Sequence, residues 1–284
     1  MEMKSFSIVS RGEMHRFCRP VVMGILNVTS NSFYDGGRYT NEKAMLEHAE
    51  EMLEQGADVI DVGVMSSRPG AMMLDPSTEA QRLSAVVATL RKHWPQALLS
   101  VDTCQSLPAR AAVEAGADII NDIGGGSLDQ QMFSTVAELQ VPYILMHMRG
   151  VPQTMQQLTN YDDIVEDLSV YFSQRLHQLH LMGVKDVWLD PGFGFAKTVD
   201  DNHLLLHNID QLCNLFEQPM VAALSRKSMI YKRLDTTPDH ALYGTIALDT
   251  VALMKGCRVL RVHDVKPAVD TVRLLFDSPN PSVS

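Results

Sequence analysis

The stretch EQGADVI (54–60) carries the pattern that decides the fold. It follows a segment with apolar residues three and four positions apart, which indicates a helix, and it continues into an apolar, β-rich run. The glycine between the two suits the end of a helix, because glycine adopts left-handed backbone conformations with little steric penalty. The same arrangement returns in EAGADII (114–120) and LMGVKDV (181–187). Each stretch therefore predicts a helix that ends at glycine and is followed directly by a parallel strand.

Short apolar runs that are typical of strands alternate with helix-patterned segments from about residue 20 onward. The runs are 21–26, 58–62, 98–101, 118–120, 143–146, 187–189, 220–224 and 259–262. The clearest helical stripes are Met45, Ala49, Met52 and Leu53 before Gly56, and Ile164, Leu168, Phe172, Leu176 and Leu179 before Gly183. Eight β/α units in about 250 residues predict an α/β fold, the single-domain (β/α)8 TIM barrel. An open, doubly wound sheet is the alternative.

The two ends of the chain differ from this repeating part. Residues 6–19 indicate a short β-hairpin with Gly12 at its turn. We expect residues 1–19 to form a hairpin that caps the N-terminal mouth of the barrel, and residues 20–277 to form the barrel itself. The tail 278–284, SPNPSVS, is expected to fray.

Composition excludes several classes of protein. The 284 residues hold 24 lysines and arginines against 34 aspartates and glutamates, a formal charge of −10, which argues against a nucleic-acid-binding surface. No apolar run approaches the ~18 residues of a membrane span, and charges interrupt the N-terminal stretch, unlike a signal peptide. The four cysteines (Cys18, Cys104, Cys213 and Cys257) lack CxxC or metal-site spacing. We therefore expect a cytoplasmic protein with reduced thiols that binds neither nucleic acid nor membrane.

Chemically capable residues follow the strand runs. In a (β/α)8 barrel the loops after the strands form the functional face. The residues there are Asn27, Ser66, Ser67, Arg68, Pro69, Asp102, Asn121, Asp122, His147, Asp190, Ser225, Arg226, Lys227, Ser228, Arg261 and His263. The cations suit phosphate oxygens, whereas carboxylates and amides suit the donor-rich edge of a heteroaromatic ring. This rim is therefore expected to bind a flat, nitrogen-rich ligand with an anionic end.

Some rim residues also have a purely structural interpretation. Asp122 and Asp264 suit turn or helix N-cap positions, and His147 suits a satisfied histidine at the core edge, so all three stay outside the expected site. The run Gly124–Gly126 predicts a flexible loop. DPGFGFAKT (190–198) lacks P-loop spacing, and no nucleophile elbow, HExxH motif or dinucleotide fingerprint is present.

The ordered motifs resemble those of the dihydropteroate synthase family of pterin-binding barrels over roughly residues 20–275. The segments that carry the resemblance are GILNVT (24–29), SFYDGG (32–37), SSRPGA (66–71), SVDT (100–103), IND (120–122), DPGFGF (190–195), SRKSM (225–229) and RVHDV (261–265). The resemblance implies a folate-pathway enzyme that joins 6-hydroxymethyl-7,8-dihydropterin pyrophosphate to p-aminobenzoate and releases pyrophosphate. It also implies Mg2+ as cofactor and a homodimer as the assembly.

The resemblance implies a role for each matching residue. The pterin-binding positions are Asp102, Asn121, Asp190 and Lys227. The positions that anchor pyrophosphate are Asn27, Arg261 and His263, with Asn27 also the magnesium ligand. The second mobile loop carries Ser67, Arg68 and Pro69, and the first carries Phe33 and Asp35. The p-aminobenzoate positions are Ser228 for the carboxylate and Phe195 and Pro69 for the ring. The residues expected to act in catalysis are Arg68, Lys227, Arg261 and His263.

The reaction that the resemblance implies is dissociative: pyrophosphate leaves first, assisted by Mg2+ and the cations, and the aniline nitrogen then attacks. The chain departs from the family's usual motifs at Ser30, Asn31, Val64, Met65, Ser67 and Ala196. Two other functions stay open. One is a methyltetrahydrofolate–corrinoid methyltransferase of the same barrel class, which would not need SSRPGA or SRKSM. The other is a degenerate paralogue that binds pterin as a carrier or regulator, without turnover.

Overall fold

Strands and helices alternate along the residues that the computed structural model describes, which are 4–28, 38–65, 74–151 and 153–277. A hairpin of β1 (Phe6–Ser10) and β2 (Glu13–Phe17) comes first. The parallel strands are β3 (Val21–Asn27), β4 (Val59–Gly63), β5 (Leu98–Asp102), β6 (Ile119–Asp122), β7 (Tyr143–Met146), β8 (Val187–Asp190), β9 (Val221–Ala222) and β10 (Val259–Val262). The α-helices are α1 (Arg38–Glu54), α2 (Pro76–His93), α3 (Ser106–Glu114), α4 (Met132–Leu139), α5 (Ile164–Leu181), α6 (Val199–His207), α7 (Ile209–Leu215), α8 (Ser228–Tyr231), α9 (Leu242–Met254) and α10 (Val265–Phe276). The tail 278–284 lies outside the described residues.

The parallel strands pair in chain order and close into a barrel. Each strand from β3 to β7 pairs with the next one along the chain, and β10 returns to pair with β3, with Val259 opposite Val21. β9 pairs with β10, and a single parallel bridge between Leu189 and Met220 joins β8 to the segment before β9. The (β/α)8 barrel is thereby confirmed, and the open doubly wound sheet, whose strand order reverses at a switch point, is excluded.

The helix ends that precede strands have the expected glycine geometry. At the end of α1, the N–H of Gly56 donates to Leu53 O at 3.0 Å and the N–H of Ala57 donates to Met52 O at 2.9 Å. Gly56 has φ +97°, so this is a Schellman motif. Glycines 116 and 183 end α3 and α5 in the same way. Both predicted helical stripes face the core, and no helix of the described residues is long and apolar enough to cross a membrane.

Side chains inside the barrel change from apolar to polar along its axis. The buried layer at the N-terminal end consists of Val21, Met23, Val59, Leu98, Ile119, Ile144, Trp188, Val221 and Val259. Because side chains alternate across a strand, the next inward position lies two residues later. The residues two positions later include Asp61, Ser100, Asn121, Asp190 and Arg261. The interior is therefore sealed at one end and polar toward the other, where the strands finish.

The N-terminal hairpin closes the apolar end. Ile8 joins the buried apolar layer, and the ring of Phe6 meets the edge of Trp188 with 5.9 Å between centroids. The turn residues Arg11 and Gly12 have φ +47° and +78°, as a two-residue hairpin turn of type I′ requires. The predicted hairpin is thus present, and it contributes apolar side chains to the barrel interior.

Asp118, between α3 and β6, ties the hairpin to the barrel. Its fully buried carboxylate accepts hydrogen bonds from Ser10 Oγ (2.6 Å), Arg11 Nε (2.7 Å), Arg91 Nη2 (2.6 Å) and the backbone N–H of Leu99 (2.8 Å). Asp118→Ala leaves two guanidinium groups without this partner. We expect the free energy of unfolding, measured by urea denaturation, to fall by about 3–5 kcal/mol.

Glu47→Ala is the matched control, because its ion pair with Lys43 is exposed on α1. Its expected effect is within about 0.5 kcal/mol. A loss for Asp118→Ala no larger than that of the control would show that this carboxylate does not anchor the hairpin.

Candidate active site at the C-terminal end of the barrel

Arg261, on β10, lies at the centre of the polar interior. Its Nε donates to Asp61 Oδ2 at 2.7 Å, and its Nη2 donates to Asp102 Oδ2 at 2.7 Å. Asn121 Nδ2 donates to the same Asp61 oxygen at 3.1 Å. Four strands thus deliver one hydrogen-bonded group, and the structure brings together three of the residues that the sequence singled out: Asp102, Asn121 and Arg261.

Asp61 is a functional candidate that the sequence reasoning missed. Its side chain is fully buried, and Oδ1 has no hydrogen-bond partner among the described residues. Asp61 lies within the run VIDVG of β4, whereas the candidate positions taken from the sequence all follow a strand run. The available signal was a carboxylate inside an otherwise apolar strand, because such a group needs a buried cation. Arg261 is that cation.

Burial shifts the protonation of the carboxyl groups at this end of the barrel. It raises the pKa of Asp102 to about 7, with the positive charge of Arg261 opposing the rise and the negative charge of Asp61 adding to it. Burial also raises the pKa of Asp190, against the opposing charge of Lys227. Asp190 Oδ1 accepts the N–H of Gly192 at 2.7 Å, which orients its carboxyl group.

Lys227 connects the loops after β8 and β9. Its Nζ donates to Phe193 O and lies 4.9 Å from the ring centroid of Phe195, a cation–π distance. Burial lowers the pKa of Lys227 to about 8, whereas the charge of Asp190 opposes that shift. Three expected site residues (Asp190, Phe195 and Lys227) therefore form a second group beside the one around Arg261.

His263, directly after β10, has an environment that favours the neutral imidazole. Partial removal from water, followed by the positive charge of Arg261, lowers the pKa of His263 to about 4. Its Nδ1 lies 3.0 Å from Ser225 Oγ, which also accepts the backbone N–H of His263 at 3.1 Å. A neutral imidazole with Nδ1 facing a hydroxyl can offer its Nε2–H to an anion.

Two structural interpretations had different outcomes. Asp122 accepts the N–H groups of Gly124 and Gly126, each at 2.7 Å, so its turn role is confirmed and the glycine run is a tight turn rather than a flexible loop. Asp264 stands at the N-cap of α10, but its side chain makes no capping bond. It pairs with Arg226 through two hydrogen bonds of 2.8 and 2.9 Å, because a guanidinium fork matches a carboxylate better than a single N–H does.

Other expected site residues lie at the rim or outside the described residues. Ser228 is the first residue of α8, a helix of only four residues. Asn27 is exposed at the end of β3, and a Cβ on Gly63 would lie 3.2 Å from its Oδ1, so glycine leaves that amide room. The residues outside the described part are Ser30, Asn31, Phe33, Asp35, Ser67, Arg68 and Pro69.

Two departures from the family motifs have visible consequences. Ala196 is fully buried with φ +50°, a left-handed conformation that costs a residue with a Cβ about 1–2 kcal/mol. Glycine at this position would avoid that cost. Met65 packs beside an apolar cluster that contains Met146, and its Sδ accepts the N–H of Leu74 at 3.3 Å. Met65 thus contributes packing where the family's glutamate would contribute charge.

Lys197 and His147 form a buried pair that the sequence reasoning left outside the site. Lys197 Nζ donates to His147 Nδ1 at 3.0 Å, and each residue is only 3% exposed. Lys197 belongs to DPGFGFAKT, a stretch that was considered as a P-loop and then rejected as one. His147 was interpreted as a satisfied histidine at the core edge. The signal was the position of both residues on loops that follow neighbouring strands, β7 and β8.

Comparisons with known proteins agree on one family. The family model described as "Pterin binding enzyme" matches residues 23–263. The chain is 40% identical over 258 residues to the dihydropteroate synthase of Streptococcus pyogenes, a match covering 89% of this chain and 94% of that protein. The solved dihydropteroate synthase of Yersinia pestis with a sulfonamide drug has TM-score 0.86 at 37% identity, covering 95% of this chain and 97% of the other. That of Xanthomonas albilineans with 4-aminobenzoic acid has TM-score 0.86 at 36% identity, covering 96% and 97%.

A closed barrel with a polar group at the strand ends, matched by a pterin-binding family model, defines the class: a (β/α)8 enzyme of the pterin-binding kind. Relatives of nearly full length narrow this class. The chain belongs to the dihydropteroate synthase family. The resemblance inferred from the motifs is confirmed, and so is the expectation of an enzyme of the transferase class.

The raised pKa of Asp102 makes a pH-dependent contribution to stability. An aspartate of the unfolded chain loses its proton near pH 4, whereas the folded protein holds that proton up to about pH 7. The folded state binds more protons in between, so this contribution falls as the pH rises toward 7. From about pH 5 to 7, we expect the wild-type free energy of unfolding to fall relative to that of Asp102→Asn by at least about 1 kcal/mol.

Urea denaturation at each pH gives the difference between the two proteins, in which the contributions of the other titrating groups largely cancel. Glu47→Gln, an exposed change on α1, serves as the control. The difference in free energy of unfolding between wild type and Asp102→Asn could prove as independent of pH as the difference for the control. That result would show that the pKa of Asp102 is not raised in the folded protein.

Proposed function

We propose that this member of the dihydropteroate synthase family condenses 6-hydroxymethyl-7,8-dihydropterin pyrophosphate with p-aminobenzoate, releasing pyrophosphate, in folate biosynthesis. The observation that carries the proposal is the group around Arg261, in which Asp61, Asp102 and Asn121 meet inside a barrel that is sealed at its other end. This group offers oriented acceptors and donors at the edge where a flat heterocycle can enter.

The pterin ring is proposed to bind to Asp102, Asn121, Asp190 and Lys227. The carboxylates accept from the ring's amino and N–H groups, and Lys227 donates to its carbonyl oxygen. Asp61 supports this assignment, because its bond to Asn121 Nδ2 leaves the amide Oδ1 available to a ring N–H. The contact of Asp102 with Arg261 uses Oδ2, so we assign Oδ1 to the ligand.

The pyrophosphate is proposed to bind at the outer rim, near Asn27, Arg261 and His263. Arg261 brings a positive charge, and neutral His263 can donate from Nε2. The described residues contain no group of three His, Cys, Asp or Glu that could hold a metal. Mg2+ commonly keeps several waters and binds substrate phosphates with one or two protein oxygens, so the amide oxygen of Asn27 fits this role. When bound, the ion would neutralise charge on the departing pyrophosphate.

The proposed reaction is dissociative. The C–O bond to pyrophosphate breaks first and its electron pair leaves with pyrophosphate, while the positive charge spreads over the dihydropterin ring. In this arrangement Asp102 and Asp190 would face that ring, and its positive charge would favour their ionised forms, which in turn stabilise the charge. The aniline nitrogen of p-aminobenzoate, placed by Phe195, Lys227 and Ser228, then forms the C–N bond and gives up one proton to the released pyrophosphate. Catalysis thus rests on positioning and fixed charge rather than on a nucleophilic side chain.

Dihydropteroate formation by the purified protein, followed by chromatography with Mg2+ and with a chelator, tests the function. We expect product with Mg2+, loss of product with the chelator, and at least a hundredfold lower rate for Asp190→Asn. Glu47→Gln is the control and should match the wild type.

Two other results would overturn the proposal. Pterin binding without product would identify a non-catalytic pterin-binding paralogue. Methyl transfer from methyltetrahydrofolate to a corrinoid would identify the methyltransferase of the same barrel class.

Arg261→Lys separates binding of the anionic end from binding of the ring. Lysine keeps a positive charge between Asp61 and Asp102 but loses the planar fork that suits phosphate oxygens. We expect affinity for the pterin pyrophosphate to fall about tenfold, or ~1.4 kcal/mol, and affinity for the pterin alcohol to change less than about threefold. Calorimetry with both ligands measures this.

Equal losses for the two ligands would place Arg261 away from pyrophosphate. Arg261→Ala is unsuitable for this comparison, because it leaves Asp61 and Asp102 without their cation and so disturbs the ring site as well.

Family membership supports three further proposals. We propose that the protein assembles as a homodimer and acts in the cytoplasm. A sulfonamide is bound in the solved Yersinia pestis relative, and we propose that this protein is also a sulfonamide target.

A further inference from the structure

Lys197 has an unusual environment for a lysine. Its side chain is buried in the loop after β8, and Nζ donates to His147 Nδ1 at 3.0 Å, Gly192 O at 3.1 Å and Phe195 O at 3.1 Å. A buried ammonium is costly unless its hydrogen bonds are satisfied. Three acceptors match its three N–H groups, so the loop is folded around this amine.

The backbone of that loop is held in conformations that need support. Gly192, Gly194 and Ala196 have φ of +69°, +82° and +50°, so every second residue is left-handed. A Cβ on Gly192 would lie 2.0 Å from His147 O, which shows how closely the loop approaches the end of β7. A loop in so specific a shape persists only where its surroundings over-determine it. Lys197 supplies two of those constraints from inside the loop.

The opposite side of the same loop faces the proposed second-substrate site. There Phe193 O accepts a hydrogen bond from Lys227, and the ring of Phe195 lies beside the Lys227 amine. Lys197 bonds to the carbonyl of Phe195 itself and to that of Gly192, the residue before Phe193. A change in the hydrogen bonds of Lys197 to this loop is therefore expected to move Phe193 O and the Phe195 ring, the two groups that contact the Lys227 amine.

We propose that Lys197, acting together with His147, is a positioning residue that fixes the loop 191–196 and thereby sets Phe195 and Lys227 for p-aminobenzoate. This inference rests on the proposed function and extends it to two residues that touch neither substrate. The larger effect is expected on the second substrate. Of the four proposed pterin residues, Asp190 and Lys227 contact this loop, whereas Asp102 and Asn121 are held by Arg261 and Asp61.

The protonation of the amine adds a second signature. Burial lowers the pKa of Lys197 to about 7, with the charge of Asp190 opposing the shift. A neutral amine has two N–H groups and a lone pair, so one of its three acceptors would lose its donor above that pH. Burial, followed by the charge of Lys197, lowers the pKa of His147, so its Nδ1 stays an acceptor.

Several charged groups lie around Lys197 and His147 and shift the pKa values of the two residues. They are Asp190 on β8, Lys227 after β9, Arg149 after β7, Arg175 on α5 and Asp201 on α6. A wild-type pH profile alone would mix their contributions. The difference between the wild type and a variant at position 197 isolates that of Lys197.

The test uses Lys197→Met, which keeps the length and apolar contacts of the side chain and removes its donors. The matched control is Lys185→Met, at an exposed lysine before β8. We expect the KM for p-aminobenzoate to rise at least tenfold in Lys197→Met, with pterin pyrophosphate affinity changed less than threefold. The control should equal the wild type in both. The ratio of the wild-type KM to the KM of Lys197→Met should also rise between pH 6 and 8, because only the wild type loses a donor at position 197 in that range.

A double-mutant cycle with His147→Leu tests whether the two residues act together. We expect the double variant to lose less binding free energy for p-aminobenzoate than the sum of the losses in Lys197→Met and His147→Leu, because coupled residues are not additive. Additive losses would show that the two residues act separately. If Lys197→Met does not fold, Lys197→Gln, which keeps an N–H2 group, replaces it in both comparisons. Equal losses for both substrates, or an unchanged p-aminobenzoate KM, would overturn the proposal.

Failure of the proposed function would look different. A wild-type protein that forms no dihydropteroate has no KM to compare. In that case, calorimetric binding of p-aminobenzoate in the presence of pterin and pyrophosphate replaces the KM. Weaker binding in Lys197→Met alone would support the positioning role, and equal binding by wild type and variant would overturn it.

Discussion

The contact between Arg261 and Asp61 determines how the inside of this barrel is organised. Asp61 is removed from water on β4, and without a cation beside it the carboxylate would be prohibitively costly to bury. Arg261 meets that need and at the same time reaches Asp102, while the other partner of Asp61 is Asn121. One ion pair therefore orients a carboxylate and an amide from two further strands. The group is oriented before any ligand arrives, which is the condition under which fixed charges are most effective.

Side chains alternate between the inside and the outside of the barrel along each strand. Successive inward positions therefore place the apolar, stabilising layer at one end and the candidate functional residues at the other. Inward positions near the start of the strands are apolar and closed by the hairpin through Ile8 and Trp188. Inward positions two residues later carry the charges. A charged group there is covered on one side by the apolar layer. Asp190, two residues after Trp188, is such a group, and burial raises its pKa. The functional end thus depends on the sealed end for its electrostatic properties.

The sequence predicted most of the fold because its two signals, strand runs and glycine-terminated helices, are local. Every strand lies within two residues of its predicted limits, although β9 keeps only Val221 and Ala222 of a five-residue run. Burial alone makes such a run apolar, whether or not it pairs. The site was predicted less completely. Asp61 and Lys197 escaped notice because what makes them important is a partner distant in sequence, and the neutral state of His263 depends on a neighbouring strand's Arg261. A local pattern can mark such a residue as unusual, as the carboxylate inside the apolar run of β4 does, but it does not identify the distant partner.

The weak pairing between β8 and β9 gives the barrel a seam. Neighbouring strands elsewhere in the described barrel share ladders of hydrogen bonds, whereas these two are joined by one bridge, at Leu189 and Met220. On the C-terminal side of that bridge, Lys227 Nζ donates to Phe193 O and so links the loops that follow β8 and β9. A relative shift of β8 and β9 would break one bridge rather than a ladder. The barrel wall is therefore held together by the fewest strand-pairing bonds beside the place where the second reactant is proposed to enter.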